Sequence, residues 1–215
     1  MSSDWRPRWK TEYELAAKRN STTRTIVPAR KHNLSTWKGY LKTRDGQLHS
    51  MEVRLEYRAH PEHRGREGRM LYYPLFPPEV EWQTPINHPN IQPPRPKGEG
   101  IICLAPFQKP DSWNPKTHVI EILDFIEVLL HNPNPADPIN HPTCLEAAIV
   151  MIRDKLTKIP SSPIAKRIPH MLTEAEGVIR KYSERWTRVT ETERPDRDRA
   201  WYLIVEAGKT VTAAR

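Results

Sequence analysis

The order of periodic segments in this 215-residue chain predicts an α+β fold: an N-terminal helix, an antiparallel four-stranded meander, a loop-rich middle and C-terminal helices. Three observations carry that expectation. Met51-Glu-Val-Arg-Leu-Glu-Tyr-Arg58 alternates apolar and charged residues over eight positions, the pattern of a half-buried antiparallel strand. Fifteen of the 22 prolines lie between Pro74 and Pro142. Proline removes an amide donor and fixes φ, so this region is neither mostly helix nor central strand, and a rigid surface of turns is expected. Residues 117–131 are then apolar except for a stripe of acids at 121, 124 and 127, which leaves most of that helix's circumference for the core.

The remaining elements follow in order. Residues 9–19 read as a short helix with Trp9, Tyr13, Ala16 and Ala17 near one face and Lys/Arg on the other. Trp37-Lys-Gly-Tyr-Leu-Lys-Thr43 alternates, Asp45-Gly46 signals a hairpin turn, and Val80-Glu-Trp-Gln-Thr84 reads as a further short strand. Residues 60–69 form a charged, glycine-containing loop. Pro115 precedes the apolar helix, and Asn132-Pro-Asn-Pro135 stops it. Further helices are expected over roughly 143–158 and 174–189, interrupted at Ser161-Ser162-Pro163. Residues 191–199 read as a polar connector, and Trp201-Tyr-Leu-Ile-Val205 as a terminal strand or a docking segment. This divides the chain into a core over residues 1–189 and an extension over 190–215.

Composition narrows the class. Hydrophobic residues at 37% allow a sizeable core. No stretch approaches the roughly 18 uncharged apolar residues of a membrane span, and the polar, basic first ten residues have no apolar signal region. Two cysteines, Cys103 and Cys144, make no disulfide framework, so the expectation is a reducing, cytoplasmic protein with a free thiol. The net charge of +8 is segregated: +8 over residues 1–69, −5 over 70–149 and +5 over 150–215. A basic N-terminal face that docks an acidic protein fits this better than a nucleic-acid binder, and neither nucleic acid nor membrane is an expected partner. His60-Pro-Glu-His63 offers only two ligands and no cysteine pair, so no metal site is expected.

The chemistry concentrates between residues 73 and 142. In order come Tyr73-Pro-Leu-Phe-Pro-Pro-Glu-Val80, His88-Pro89-Asn90, Gly100-Ile-Ile-Cys103-Leu104, Trp113-Asn114-Pro115, the apolar helix, and Asn132-Pro-Asn-Pro-Ala-Asp137-Pro138. Read alone, Cys103 is a small hydrophobe, as buried cysteines commonly are. Its glycine-flanked run is extended enough to bring a thiol to the surface. Cys144 sits among apolar neighbours on a helix and reads as core.

Taken together, these segments resemble the catalytic core of ubiquitin-conjugating enzymes, which accept ubiquitin or a ubiquitin-like protein as a thioester from an activating enzyme. With the flanking elements, the resemblance extends over about residues 9–189. It implies that Cys103 carries the acyl group by thiol exchange, splitting a difficult amide synthesis into easier steps. It places Asn90 beside the cysteine as the donor to the tetrahedral oxyanion, a role worth roughly 3–4 kcal/mol in comparable sites; the other reading of Asn90 is a brace for a proline-containing turn. His88 and Pro89 would support that turn. Asp137 matches the acid near the incoming lysine amine, where it orients the nucleophile; the other reading is a turn-forming or helix-capping Asp. Leu75 and Phe76, with Trp113, Asn114 and Pro115, match two loops that together bind a RING-type ligase, or else Trp113 covers the core. Arg6, Arg8, Lys10, Lys18 and Arg19 would form the activating-enzyme docking face. No cofactor is implied on this chain. The departures from the family pattern are a 13-residue step from Asn90 to Cys103 with extra residues at 91–100, Asn87 in place of an aromatic, and Ala105 and Ala136 in place of polar or acidic residues. The alternatives are a non-catalytic subunit that binds a ubiquitin-like protein, which the presence of Cys103 opposes, and a cysteine hydrolase, for which no histidine partner can be nominated by spacing.

Overall fold

The computed structural model describes residues 6–30, 33–55, 73–74, 77–94, 100–102, 113–159 and 163–214. They fall into two units, Met1–Pro85 with Pro94–His131, and Ile86–Pro93 with Asn132–Arg215.

In the first unit, helix α1 (Arg6–Arg19) is followed by strands β1 (Arg24–Arg30), β2 (Asn33–Lys42), β3 (Leu48–Arg54), β4 (Glu79–Trp82) and β5 (Gly100–Ile101), then helix α2 (Val119–His131). The strands form one antiparallel sheet in sequence order. The expected four-strand meander is β1 to β4, and the two residues of β5 extend it. Strand β3 alternates as its sequence demands: His49, Met51 and Val53 are buried, and the residues between them are half-buried. Helix α2 buries Val119, Ile120, Ile122, Leu123, Ile126 and Leu130, each large aliphatic side chain contributing about 2 kcal/mol. The helix lies close against the sheet at Gly39, where a Cβ would sit 2.9 Å from Met51 Cγ and 3.4 Å from Leu123 Cδ1. Two of the three acids in the α2 stripe pair with arginines. Asp124 pairs with Arg19 and Arg24, each at 2.5 Å, and Glu127 with Arg24 at 2.9 Å.

The second unit contains helices α3 (Pro142–Leu156), α4 (Pro163–Tyr182) and α5 (Arg194–Ala213), with a 3₁₀ segment (Ser183–Arg188) between the last two. Its core is built from Leu145, Ile149, Ile152, Leu172, Ile179 and Ile204 with small residues such as Ala148, Ala175 and Ala207 between them.

Three elements differ from the sequence reading. β1 is the meander strand to which the sequence reading gave no residues; Pro28 within it is tolerated because β1 is an edge strand, where no neighbour needs the missing amide. Helix α4 begins at Pro163, eleven residues ahead of the expected start, and carries Pro169 inside it. Residues 201–205 are neither strand nor loose segment but part of α5. Their apolar run is helical because Ala200, Ile204, Ala207 and Val211 recur on one face and are buried. No helix among the described residues is long and apolar enough to cross a membrane.

Candidate active site

The turn at residues 88–91 is closed locally by an antiparallel bridge between His88 and Ile91. His88 and Asn90 are both buried, at 5% and 3% exposure. The His88 ring faces back into the turn, its Nδ1 accepting the Asn90 backbone N–H at 3.0 Å. The ring is thus turned toward its own turn and away from solvent.

The Asn90 side chain reaches the loop after α2. Its Nδ2 donates to the carbonyls of Asn134 (3.1 Å) and Asp137 (2.8 Å), and its Oδ1 accepts the Asn134 N–H at 2.7 Å. The Pro89 carbonyl accepts the Ile139 N–H at 2.9 Å. Asn134 Oδ1 in turn accepts the Ala136 N–H at 3.0 Å. Both donors and one of the two acceptor sites of the Asn90 amide are therefore used on main chain, which is the bracing geometry expected of asparagine in turns. Asp137, on the braced loop, is exposed. The sequence reading missed Asn134, whose amide links the two segments; the Asn-Pro-Asn-Pro run carried a turn signal but not this pairing. Below the loop, Cys144 is fully buried, with its thiol 3.5 Å from the Ile91 carbonyl, as its apolar neighbours predicted.

Cys103, Leu75 and Phe76 lie outside the described residues, as does the side chain of Arg6. In the run leading to Cys103, Gly100 is buried, Ile101 is 50% exposed and Ile102 is 2% exposed.

In the first unit the proline-flanked segments converge on Tyr73 and Trp113. Trp113 is 8% exposed, its ring centroid is 6.1 Å from that of Tyr73, and its indole N–H donates to the Pro74 carbonyl at 2.7 Å. Its ring covers the core and pins the 73–74 turn, so of the expected Trp113, Asn114 and Pro115 surface only Asn114 and Pro115 are exposed. An indole has one donor to satisfy, and the Pro74 carbonyl satisfies it.

Tyr73, a residue the sequence reading did not assign, anchors a buried polar cluster. Its hydroxyl bonds the Glu12 carboxylate and accepts from Arg8 Nη2 at 2.8 Å. Burial, followed by the Glu12 charge, pushes the Tyr73 hydroxyl far above the ordinary phenol range, so it stays a donor. Glu12 also accepts the Val119 N–H at 2.9 Å, capping α2, and lies 3.0 Å from His118 Nδ1. Arg8 forms a 2.7 Å ion pair with Glu12 and donates to the Thr117 carbonyl at 2.6 Å. Of the basic residues expected at a docking face, Arg8 is thus built into this cluster and Arg19 is paired with Asp124. Lys10 and Lys18 are exposed. Among the described residues no group of three or more His, Cys, Asp and Glu forms a metal-binding cluster.

Residues 8–149 match the family model described as "Ubiquitin-conjugating enzyme". The chain therefore belongs to the ubiquitin-conjugating enzyme family, a family of transferases. It is 29% identical over 126 residues to ubiquitin-conjugating enzyme E2-18 kDa of Drosophila melanogaster, covering 59% of this chain and 71% of that protein. It is 38% identical over 69 residues to ubiquitin-conjugating enzyme E2 T of Homo sapiens, covering 31% of this chain and 32% of that one. The solved structure of human ubiquitin-conjugating enzyme E2 G1 aligns with a TM-score of 0.44 at 18% identity, over 60% of this chain and 97% of that one.

Proposed function

We propose that this protein accepts ubiquitin or a ubiquitin-like protein on Cys103 as a thioester and transfers it to a lysine amine, working with an activating enzyme and a RING-type ligase. The Cys103 thiolate attacks the activating enzyme's thioester carbonyl, and that enzyme's cysteine leaves as a thiolate. A neutral lysine amine then attacks the Cys103 thioester. The tetrahedral oxyanion collapses to the amide, expels the Cys103 thiolate and releases the amine proton. Asp137 orients the incoming amine, and Asn90 holds the loop that carries it. Donation from Asn90 to the oxyanion calls for one of its two amide hydrogens to be shared, the 3.1 Å bond to Asn134 being the longer. Leu75, Phe76, Asn114 and Pro115 supply the ligase surface, with Trp113 as its support, and Lys10 and Lys18, with the exposed but Asp124-paired Arg19, the activating-enzyme face. ATP and Mg²⁺ would be consumed by the activating enzyme, with no cofactor on this chain. We assign the conjugating core to residues 1–189, the extension to 190–215, and a reducing cytoplasmic location that keeps Cys103 a thiol.

The observation that carries this reading is the Asn90 brace. A buried amide ties the His88-Pro89-Asn90 turn to the loop bearing Asp137, in a chain whose family is defined by thioester transfer. The test is incubation with an activating enzyme, ATP, Mg²⁺ and candidate modifiers, followed by intact mass spectrometry. A thiol-sensitive adduct on Cys103, converted by Cys103→Ser to a thiol-resistant oxyester, is expected. Modifier bound without any adduct would turn the reading to a non-catalytic binding subunit.

A further inference from the structure

The family match stops at residue 149, yet the loop bearing Asp137 is gripped from beyond that point. Gly208 of α5 lies so close to it that a Cβ would sit 2.7 Å from Ala136 Cα, 2.7 Å from the Pro135 carbonyl oxygen and 2.9 Å from the Ala136 nitrogen. All three are backbone atoms and cannot rotate aside. Two turns earlier in α5, the Trp201 indole N–H donates to the Pro138 carbonyl at 3.0 Å. Trp186, 3% exposed in the 3₁₀ segment, directs its indole N–H at Asn140, with the carbonyl at 3.2 Å and Oδ1 at 3.1 Å. The loop is thus held at 135–136, 138 and 140 by the C-terminal elements, while Asn90 holds it at 134 and 137. The grip is stiff because Ala200, Ile204, Ala207 and Val211 fix α5 in the core of its unit. It is also sequence-specific, since only glycine lets the α5 backbone come this close to the loop.

We infer that α5 is a positioning element for aminolysis: Gly208 sets the distance of the 134–137 loop from the helix, and Trp201 and Trp186 fix the loop's far end. This rests on the reading of Asp137 as the group that orients the amine. None of the three residues is assigned contact with substrate. A loop shifted far enough to turn a 2.7 Å approach into an ordinary contact of 3.4 Å or more carries the Asp137 carboxylate with it. Displacement of an orienting group by about 1 Å costs on the order of 10²-fold in rate. Loading of Cys103 uses no amine and does not need Asp137 in place.

Gly208→Ala in the full-length protein separates these steps. Expected are Cys103 loading within about twofold of the parent, unchanged thioester hydrolysis by water, and discharge to free lysine slower by on the order of 10²-fold. Trp201→Phe, which keeps the ring and removes the donor, is expected to slow lysine discharge several-fold with the same selectivity, and to serve if Gly208→Ala does not fold. Lys209→Ala, on the exposed side of α5, should change nothing. Backbone hydrogen exchange is read in parallel, and faster exchange confined to peptides spanning 132–140 is expected in Gly208→Ala and Trp201→Phe. Lysine discharge equal to the parent in a folded variant overturns the inference. So does equal slowing of loading, hydrolysis and discharge, which would mark general loss of structure. A parent protein that takes up no modifier refutes the carrier reading instead, and the exchange data then decide this one: protection over 132–140 unaltered by both variants overturns it.

Discussion

Asn90 shows how one side chain can be legible in its identity and not in its contacts. Its identity and its place after His88 and Pro89 singled it out, but its bonding is that of a brace: two donors and one acceptor, all on main chain 44 to 47 residues away. The energetic consequence is specific. Asn90→Ala leaves the Asn134 N–H and two carbonyls without their partner, at a cost of about 2 kcal/mol. Asn90→Asp does worse at neutral pH, because a carboxylate oxygen replaces the donor and faces two carbonyl oxygens. An uncompensated charge at a site 3% exposed costs about 3–5 kcal/mol. The protonated acid can still donate, so the folded state raises the introduced carboxyl's pKa. The acid's penalty is therefore smallest below the unfolded carboxylate range and grows as pH rises through the folded value. Urea midpoints at pH 4.5 and 7.5 check this. Asn90→Asp is expected to fall below Asn90→Ala at the higher pH and to approach or exceed it at the lower. Equal midpoints at both would remove the bracing role.

At the scale of elements, α1 is joined to α2 and to the Tyr73 turn through a single carboxylate. Glu12 is 1% exposed and accepts from Tyr73 and the Val119 N–H while pairing with Arg8. Removing one partner of such a pair strands the other: Glu12→Ala is expected to destabilise the protein by about 3 kcal/mol. Arg8→Ala should likewise lower the urea midpoint, whereas Lys10→Ala with Lys18→Ala should leave stability within about 0.5 kcal/mol and slow loading by the activating enzyme. A midpoint unaffected by Arg8→Ala would return that residue to the docking face. The elements read most directly from sequence are those whose burial follows a strict period: β3, with its alternation, and α2, with its single acidic stripe. β1 was illegible because Arg24-Thr-Ile-Val-Pro-Ala-Arg30 is short and proline-bearing, and its strand state depends on a partner, pairing with residues 33–41. α5 was illegible because the five contiguous apolar residues 201–205 fit any period. Only its packing against α3 and α4 selects the helix.

Over the whole molecule, the motifs of the candidate site were readable because each is contiguous, and the links between them were not, because they join residues far apart in sequence. His88-Pro89-Asn90 and the 132–138 run were both evident, but nothing local announced that Asn90 bonds Asn134, that Gly208 abuts Ala136, or that Glu12 meets Tyr73. The same dependence on tertiary burial governs how the fold responds to acid. His49 is 1% exposed on β3, its ring 5.3 Å from that of Trp82 and its Nδ1 within 3.3 Å of Thr84 Oγ1. Burial holds its pKa below the ordinary imidazole value of 6.5, against a smaller opposing pull from Asp45. Above 6.5 the ring is neutral in both folded and unfolded chains and costs nothing. As pH falls below 6.5 the unfolded chain takes up the proton first, so stability declines until the folded ring also titrates. Denaturant midpoints for His49→Gln are therefore expected to fall less than those of the parent between pH 7.5 and pH 5, with the two curves closest in slope above pH 7. Parallel curves across the whole interval would show that the buried imidazole does not contribute to the acid sensitivity of the fold.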